Sequence, residues 1–257
     1  MKLSVILPAF NEEANVRVAL KEVDKVLKNL NMDHEIIAVD DGSTDGTWKE
    51  LQIAAREVNN LQLIRCEKNM GKGHALKLGF EDSSGELVAF LDTGLEIHPK
   101  HLLDLLKLME KSGADVIVGS KFHPESKVEY PTRRLFFSAL HNVAVRLLLR
   151  LPVRDTQVGL KLFKREVLER TYPLLLVKRY AFDVELLVSI HRRGYKICEV
   201  PITLNFRPEF EKMRFKDIFK ITLDVIAIFY RTHILKYYDR ELGVRKHENL
   251  NRHMCLQ

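Results

Sequence analysis

The apolar residues of this chain fall into short runs that are separated by amphipathic stretches. Runs rich in Val, Ile and Leu lie at residues 3–7, 36–40, 61–65, 87–91 and 115–118. Short and continuously apolar runs of this kind predict parallel strands that are buried on both faces. Between them, apolar residues recur at helical spacing, beginning with the stretch from Val16 to Leu30. Strands alternating with helices predict an α/β fold with a doubly wound, mostly parallel sheet flanked by helices.

Polar and small residues follow the first two predicted strands. Phe10-Asn11-Glu12 follows the first, and a segment with Asp40, Asp41, Gly42 and Asp45 follows the second. The carboxyl ends of parallel strands form the ligand crevice of open α/β sheets, so these residues are candidates for binding a nucleoside. A local alternative stays open, in which Asn11 and Asp45 start helices and Phe10 packs in the core.

Two further segments extend this candidate site. Asn69-Met70-Gly71-Lys72-Gly73 follows the third strand and opens a helix, where glycines allow the backbone to approach a ligand. Its spacing matches neither a Walker loop nor the dinucleotide fingerprint. After the fourth strand, the carboxylates of Asp92 and Glu96 suit Mg²⁺ or Mn²⁺. Glu96 is alternatively a surface acid in the first turn of a helix.

Charge divides the chain unequally. Residues 1–120 carry 14 basic and 20 acidic side chains, whereas residues 121–180 carry 13 and 5 and residues 206–257 carry 11 and 7. The basic second half indicates an anionic partner, either phosphate groups or a membrane surface, with solvated basic helices as the competing explanation. Nucleic acid is not among the expected partners.

Two long apolar stretches belong to this basic half. They lie at residues 135–151 and 218–235, and charged residues interrupt both, so neither is expected to span a bilayer. They are interpreted as interfacial amphipathic helices or, alternatively, as a second packing layer on the sheet. Three scattered cysteines argue against disulfides and zinc, and the short apolar start of the chain does not predict a signal peptide, so a cytoplasmic location is expected.

Several motifs in a fixed order resemble those of the inverting family 2 glycosyltransferases of GT-A fold. They are the segments 5–12, 39–47 and 69–73 together with Asp92. Later segments, at 118–121, 155–163, 181–187 and 199–202, resemble the dolichyl-phosphate glucosyl- and mannosyltransferases, and Asp155-Thr156-Gln157 is closer to the glucosyl branch.

This resemblance implies transfer of glucose or mannose from UDP-glucose or GDP-mannose to dolichyl or another polyprenyl phosphate, with inversion. It implies a peripheral position on the cytoplasmic face of a membrane, with a membrane-anchored partner subunit as one option. The implied division is a catalytic domain over 1–215, with a nucleotide-sugar half (1–120) and an acceptor half (121–215). An amphipathic helix over 216–238 and a polar tail over 239–257 complete it, and the loop at 123–132 is interpreted as a lid or linker.

The resemblance also assigns roles by position. Asp92, Asp155 and Lys121 are the implied catalytic residues, and Asp92 with Glu96 holds Mg²⁺ or Mn²⁺. The implied donor-binding residues are Pro8, Phe10, Glu12, Val39, Asp41, Thr93, Arg207 and Lys212. Arg133 and Arg134 are further candidates for steering the acceptor phosphate.

One departure bears on metal binding. The family usually shows Asp-x-Asp, whereas this chain has Asp92-Thr93-Gly94, so one expected ligand is missing. Two other functions therefore stay open. One is transfer to a protein or polysaccharide hydroxyl, which needs a general base, and the other is a non-catalytic nucleotide-sugar-binding subunit.

Overall fold

The computed structural model describes residues 1–179, 181–205 and 215–239, excluding the side chains of 133, 134, 137 and 215–219. Nine strands form within this part of the chain: β1 (Lys2–Ala9), β2 (Asp33–Asp40), β3 (Leu61–Arg65), β4 (Leu87–Phe90), β5 (Val116–Ser120), β6 (Lys127–Glu129), β7 (Lys161–Lys164), β8 (Ile197–Pro201) and β9 (Thr203–Asn205). The α-helices are α1 (Val16–Lys28), α2 (Thr47–Ala54), α3 (Lys72–Asp82), α4 (His101–Ser112), α5 (Thr132–Leu149), α6 (Arg165–Thr171), α7 (Phe182–Arg192) and α8 (Phe215–Phe229).

Seven strands form the central sheet in the order β3-β2-β1-β4-β7-β5-β8. All neighbouring pairs are parallel except those of β7, which runs antiparallel to β4 and β5. This confirms the predicted mostly parallel α/β sheet, and all five predicted strands are present. Because β7 is reversed, the segment leading into it lies at the same edge as the carboxyl ends of β1, β2, β4 and β5.

Apolar cores cover both faces of the sheet. Along β1, the side chains of Leu3, Val5 and Leu7 belong to one core, whereas Ile6 belongs to the other. Successive strand residues point to opposite faces, so a strand buried on both sides is apolar at nearly every position. This explains why the sequence shows continuous apolar runs rather than alternation.

The segment between β5 and α5 is tied to the rest of the fold. It contains β6, which pairs in parallel with β9 in a separate two-stranded sheet. The Ser126 hydroxyl accepts a hydrogen bond from the Ile202 backbone N–H at 3.0 Å. The loop interpreted as a lid or linker is therefore anchored to the end of β8.

Helices α5 and α8 contact each other. The largest exposed apolar side chains on α5 include Phe136, Leu140 and Leu147, and those on α8 include Leu223 and Ile226. Among the described residues, no helix combines the length and the apolar character needed to cross a bilayer.

Candidate active site

The turns that follow β1 and β2 are joined by hydrogen bonds. Asn11 has a φ of +54°, and its backbone N–H donates to the Ser43 hydroxyl at 3.0 Å. Its side-chain oxygen accepts from the Thr44 N–H at 2.9 Å. Phe10, beside it, is 39% exposed. The alternative in which Asn11 caps α1 and Phe10 packs in the core is therefore wrong, since α1 begins only at Val16 and Asn11 ties two turns together.

Asp41 connects the end of β2 to the glycine-containing loop. Its carboxylate oxygens accept the backbone N–H groups of Met70 and Gly71 at 2.9 and 2.8 Å, and its side chain is almost fully buried. Asp41 thus fixes the position of the loop that starts α3. Recognition of a base or ribose by Asp41 stays a prediction.

The glycines of this loop allow close packing within the chain. Gly71 has a φ of +104°, and a Cβ there would overlap the Lys178 carbonyl, while a Cβ at Gly73 would overlap the Phe182 ring. The Gly73 N–H donates to the Lys178 carbonyl at 2.9 Å. These glycines therefore allow close packing against the segment that leads into α7, which positions Lys72 at the start of α3, and their predicted approach to a ligand stays a prediction.

The other two aspartates after β2 support their own turn. Asp40 accepts the Ser43 N–H at 2.9 Å and lies 3.4 Å from the Arg65 guanidinium. Asp45 accepts the Thr47 N–H at 3.0 Å, where α2 begins. Burial raises the pKa of Asp45, but its hydrogen bonds from Thr47 outweigh that effect and lower the pKa overall. These two carboxylates stabilise the turn beside Asp41.

A chain of alternating charges leads from the core to the end of β4. Lys161 Nζ lies 2.6 Å from Asp183 Oδ1, and Lys72 Nζ lies 3.6 Å from Asp183 Oδ2 and 2.7 Å from Asp92 Oδ1. The exposed fraction rises along this chain, from 1% for the Lys161 side chain to 52% for that of Asp92. Two carboxylates and two ammonium groups therefore balance each other at the candidate site.

The ionised forms of these groups stabilise one another. Burial lowers the pKa of Lys72, but Asp183 and Asp92 outweigh it and raise the pKa above its ordinary value. Burial likewise raises the pKa of Asp183, but Lys161 and Lys72 outweigh it and lower the pKa overall. Both residues are charged at neutral pH.

Gly159 shapes the other side of the Asp92 carboxylate. A Cβ at Gly159 would overlap that carboxylate, so any side chain there would displace Asp92 from its present position. Lys161 Nζ also donates a hydrogen bond to the carbonyl of Val158, next to Gly159. The segment before β7 and the Lys161–Asp183 pair therefore form one support around Asp92.

Lys121 and Asp155 form a separate pair at the end of β5. The Lys121 ammonium lies 3.0 Å from both Asp155 oxygens, and the Lys121 backbone N–H donates to Asp155 Oδ2 at 3.0 Å. The Asp155 side chain is almost fully buried. Glu199 holds the Asp155 loop by accepting the backbone N–H groups of Arg154 and Asp155. The structure thus brings these two predicted catalytic residues together, and their roles stay predictions.

The remaining predicted donor-binding residues lie around the ends of β1, β2 and β4. The Thr93 hydroxyl donates to the Pro8 carbonyl at 3.3 Å and thereby joins β4 to β1. The Glu12 carboxylate accepts from the Asn15 amide, and the Val39 side chain is fully buried in the core. Their contact with a nucleotide stays a prediction. Arg207 and Lys212, and the side chains of Arg133 and Arg134, lie outside the described residues.

The predicted metal ligands were Asp92 and Glu96. The Asp92 side chain is half exposed, and one of its carboxylate oxygens contacts the Lys72 ammonium. The Glu96 carboxylate accepts a hydrogen bond from the Tyr130 hydroxyl at 3.3 Å. In the part of the chain that the structure describes, no three His, Cys, Asp or Glu side chains gather around one point. Mg²⁺ is commonly held by one or two carboxylates together with substrate phosphates. The Asp92 carboxylate fits a metal shared with a bound diphosphate, and Glu96 as a second ligand stays a prediction.

Lys72 and Gly159 were not singled out from the sequence. In the sequence, Lys72 stands between two glycines at a predicted helix start, and this position could have drawn attention to it. No local signal shows that its ammonium reaches Asp92, because residues 72, 92, 159 and 183 meet only when the sheet is assembled.

Comparison with protein families matches residues 4–172 to the model of Glycosyl transferase family 2. A dolichyl-phosphate beta-glucosyltransferase of Trichomonas vaginalis is 32% identical over 254 residues, covering 93% of this chain and 77% of that protein. The dolichyl-phosphate beta-glucosyltransferase of Dictyostelium discoideum is 30% identical over 242 residues, covering 89% and 74%.

Solved structures of similar proteins agree with the family match at the level of the fold. Glucosyl-3-phosphoglycerate synthase from Mycobacterium tuberculosis, in complex with Mn²⁺, UDP and glucosyl-3-phosphoglycerate, gives a TM-score of 0.68 at 21% identity. The match covers 89% of this chain and 78% of that chain. The predicted GT-A type of fold is thereby confirmed.

Proposed function

This chain belongs to glycosyl transferase family 2, and from that premise we propose that it transfers glucose from UDP-glucose to dolichyl or another polyprenyl phosphate, with inversion at the anomeric carbon. The observation that carries this proposal is the similarity, over about nine-tenths of the chain, to relatives named dolichyl-phosphate beta-glucosyltransferases. Transfer of mannose from GDP-mannose is the competing outcome for the donor.

The geometry of the sheet edge supports binding of a sugar nucleotide. The ends of β1 and β2, with the exposed ring of Phe10, form a wall for the nucleoside beside the half-exposed Asp92. The segment from Asp155 to Gly159 crosses the edge from Lys121 to Asp92, where the transferred sugar belongs in this proposal. In this proposal, the donor and the acceptor bind along one continuous edge of the sheet.

A phosphate acceptor also agrees with the charges of the site. A phosphate is anionic at neutral pH and attacks the anomeric carbon without prior deprotonation, so the main catalytic task is to stabilise charge. Both oxygens of Asp155 are bonded to Lys121, which leaves this carboxylate poorly placed to remove a proton from a hydroxyl. We therefore favour the phosphate over a protein or polysaccharide hydroxyl.

In this proposal, Asp92 holds a divalent cation together with the donor diphosphate. Mg²⁺ or Mn²⁺ supplies positive charge for the departing nucleoside diphosphate. Lys121 steers the acceptor phosphate as a point charge, and Asp155 holds Lys121 in place. Thr93 keeps the ends of β4 and β1 together beneath the diphosphate.

The apolar surface of α5 and α8 supports a membrane-associated acceptor. Leu147 on α5 is 75% exposed, and further apolar side chains on α8 and in the next turn are at least half exposed. Arg146 lies on α5 and Arg150 follows its last residue, and both complement anionic lipid headgroups. We propose that this surface rests on the bilayer. The cytoplasmic face and a membrane-anchored partner subunit stay predictions.

Two measurements test the proposal. The purified chain is incubated with polyprenyl phosphate, Mn²⁺ and either radiolabelled UDP-glucose or GDP-mannose, and label entering the organic phase is counted. We expect transfer from UDP-glucose. If label is transferred from GDP-mannose alone, the proposed donor is wrong. If label is transferred from neither nucleotide sugar, the proposed lipid acceptor is wrong.

Sedimentation with vesicles of phosphatidylcholine, with and without phosphatidylserine, tests the membrane surface. We expect binding that increases with phosphatidylserine and decreases at least severalfold in Leu147→Asp. The exposed Leu176, on the segment before α7, provides the matched control variant Leu176→Asp. Equal binding of the two variants would contradict the placement of this surface on the bilayer.

A further inference from the structure

The Asp92 carboxylate already has a cation beside it. Lys72 Nζ lies 2.7 Å from Asp92 Oδ1, which is the distance of a charge-assisted hydrogen bond. The Lys72 side chain is only one-quarter exposed, so its ammonium has little bulk water to replace this contact. The group that is best placed to bind a metal is therefore also the partner of a lysine.

The fold holds Lys72 at this position from behind. Asp183 lies 3.6 Å from the Lys72 ammonium and is itself held by Lys161, whose side chain is almost fully buried. The backbone of Lys72 is fixed as well, because Asp41 holds the loop before it and Lys178 accepts the Gly73 N–H. A lysine anchored at both ends of its side chain competes more strongly for Asp92 than a flexible one.

The second aspartate of the Asp-x-Asp pattern is missing here. Gly94 stands where the resemblance expects an aspartate, and a Cβ there would meet no atom within 4 Å. Without a carboxylate at position 94, the charges of Lys161 and Lys72 balance those of Asp183 and Asp92. A divalent cation entering such a site has to displace or repel the lysine.

We propose that Lys72 is an internal cation of the donor site that competes with the divalent metal for Asp92, and that Asp183 and Lys161 are the positioning residues that hold it there. This inference rests on the proposed function, since it concerns the metal of that site. It implies weak metal binding to the nucleotide-free protein, and stronger binding once a diphosphate adds its negative charge.

The experiment measures Mn²⁺ affinity by electron paramagnetic resonance of free Mn²⁺, with and without UDP. Wild type is compared with Lys72→Gln, which removes the competing charge. We expect Lys72→Gln to bind Mn²⁺ about three- to tenfold more tightly, an effect limited by the half-exposed position of Asp92. Lys77→Gln, an exposed position on the same helix, is the matched control and should stay within about twofold of wild type.

Unchanged or weaker Mn²⁺ binding by folded Lys72→Gln overturns the inference. Lys72→Arg keeps the charge and should bind Mn²⁺ like wild type, so tightening in this variant also overturns it. Circular dichroism verifies the fold, and Lys72→Met replaces Lys72→Gln if that variant does not fold. If wild type binds Mn²⁺ in the presence of UDP but Lys72→Gln does not bind it more tightly, only this inference fails. If no protein binds Mn²⁺ even with UDP, the metal site of the proposed function fails too.

Discussion

Two acidic residues in the first turn of α7 support opposite parts of the molecule. Asp183 faces two lysines and, through Lys72, leads to the half-exposed Asp92. Glu185 accepts the backbone N–H groups of Leu176 and Val177 on one oxygen. Its other oxygen accepts from Arg231 at 2.9 Å and from the Tyr238 hydroxyl at 2.5 Å.

The difference lies in where each network ends. The Asp183 network opens towards solvent at the candidate site, and among the described residues its last carboxylate is paired with a single cation, Lys72. The Glu185 network is closed, because all four donors belong to the chain and the carboxylate is fully buried. A closed network holds the segment after α8 against the loop before α7, whereas an open one leaves a charged group available for a ligand. Buried charge of the same type thus serves a structural role in one case and a candidate functional role in the other.

The largest expected effect is on activity, from substitution of Asp92 at the solvent-exposed end of the Asp183 network. In the proposed function the Asp92 carboxylate holds the metal, and Asp92→Asn removes its charge, so we expect kcat/KM for sugar transfer to fall about a hundredfold or more. Asp92 is half exposed, so the melting temperature should change by no more than about 2 °C. Assays and thermal melts with the exposed Asp82→Asn as control provide the comparison. A large loss of stability in Asp92→Asn would show that this network is structural as well.

The second-largest effect is expected on stability, from substitution of Glu185 in the closed network. Glu185→Gln places an amide N–H₂ against a cluster of donors, so we expect the free energy of unfolding to fall by about 3 kcal/mol. Urea denaturation measures this loss, and Glu169→Gln, at an exposed position on α6, is the control. KM for the donor should stay unchanged at temperatures where the variant is folded. A changed KM with unchanged stability would reverse the contrast between the two networks.

The smallest effect is expected for Asp183→Asn. The amide oxygen retains the hydrogen bond from Lys161, so the loss at pH 7 should be about 2 kcal/mol. The folded pKa of Asp183 lies below its ordinary value of 3.8, so its ionisation stabilises the protein above that pH. This contribution disappears as the pH falls further. The stability difference between wild type and Asp183→Asn should therefore shrink below about pH 4, and a constant difference down to pH 2 would contradict the ionised pair.

Much of the fold could be predicted from the sequence because its evidence is local. The five apolar runs from residue 3 to residue 118 all form strands, since a strand buried on both faces needs apolar side chains throughout. Strand β7 carries no such signal, because it has four residues with lysines at both ends. Its antiparallel direction follows from pairing with β4 and β5, which are far from it along the chain.

The candidate site was predictable only in part. Asp92 and Asp155 were identified from their motifs, and the structure places both at the expected sheet edge. The network behind Asp92 was not predictable, because Lys72 and Asp183, which meet in it, are separated by more than 100 positions in the sequence. The glycines at 71 and 73 were predicted to let the backbone approach a ligand, which stays a prediction, and the structure shows that they pack closely against the segment at 178–182.

The sequence by itself determined the five apolar strands up to residue 118, the family and the edge of the sheet at which polar groups collect. These properties depend on hydrophobic periodicity and on short motifs, which act over a few residues. Only the tertiary structure decided that Lys72 neutralises Asp92 and that Glu185, two residues from Asp183, belongs to a different network. Coulombic and hydrogen-bonding partners depend on distances of a few ångströms in space, and the packing of α3 and α7 against the sheet sets those distances.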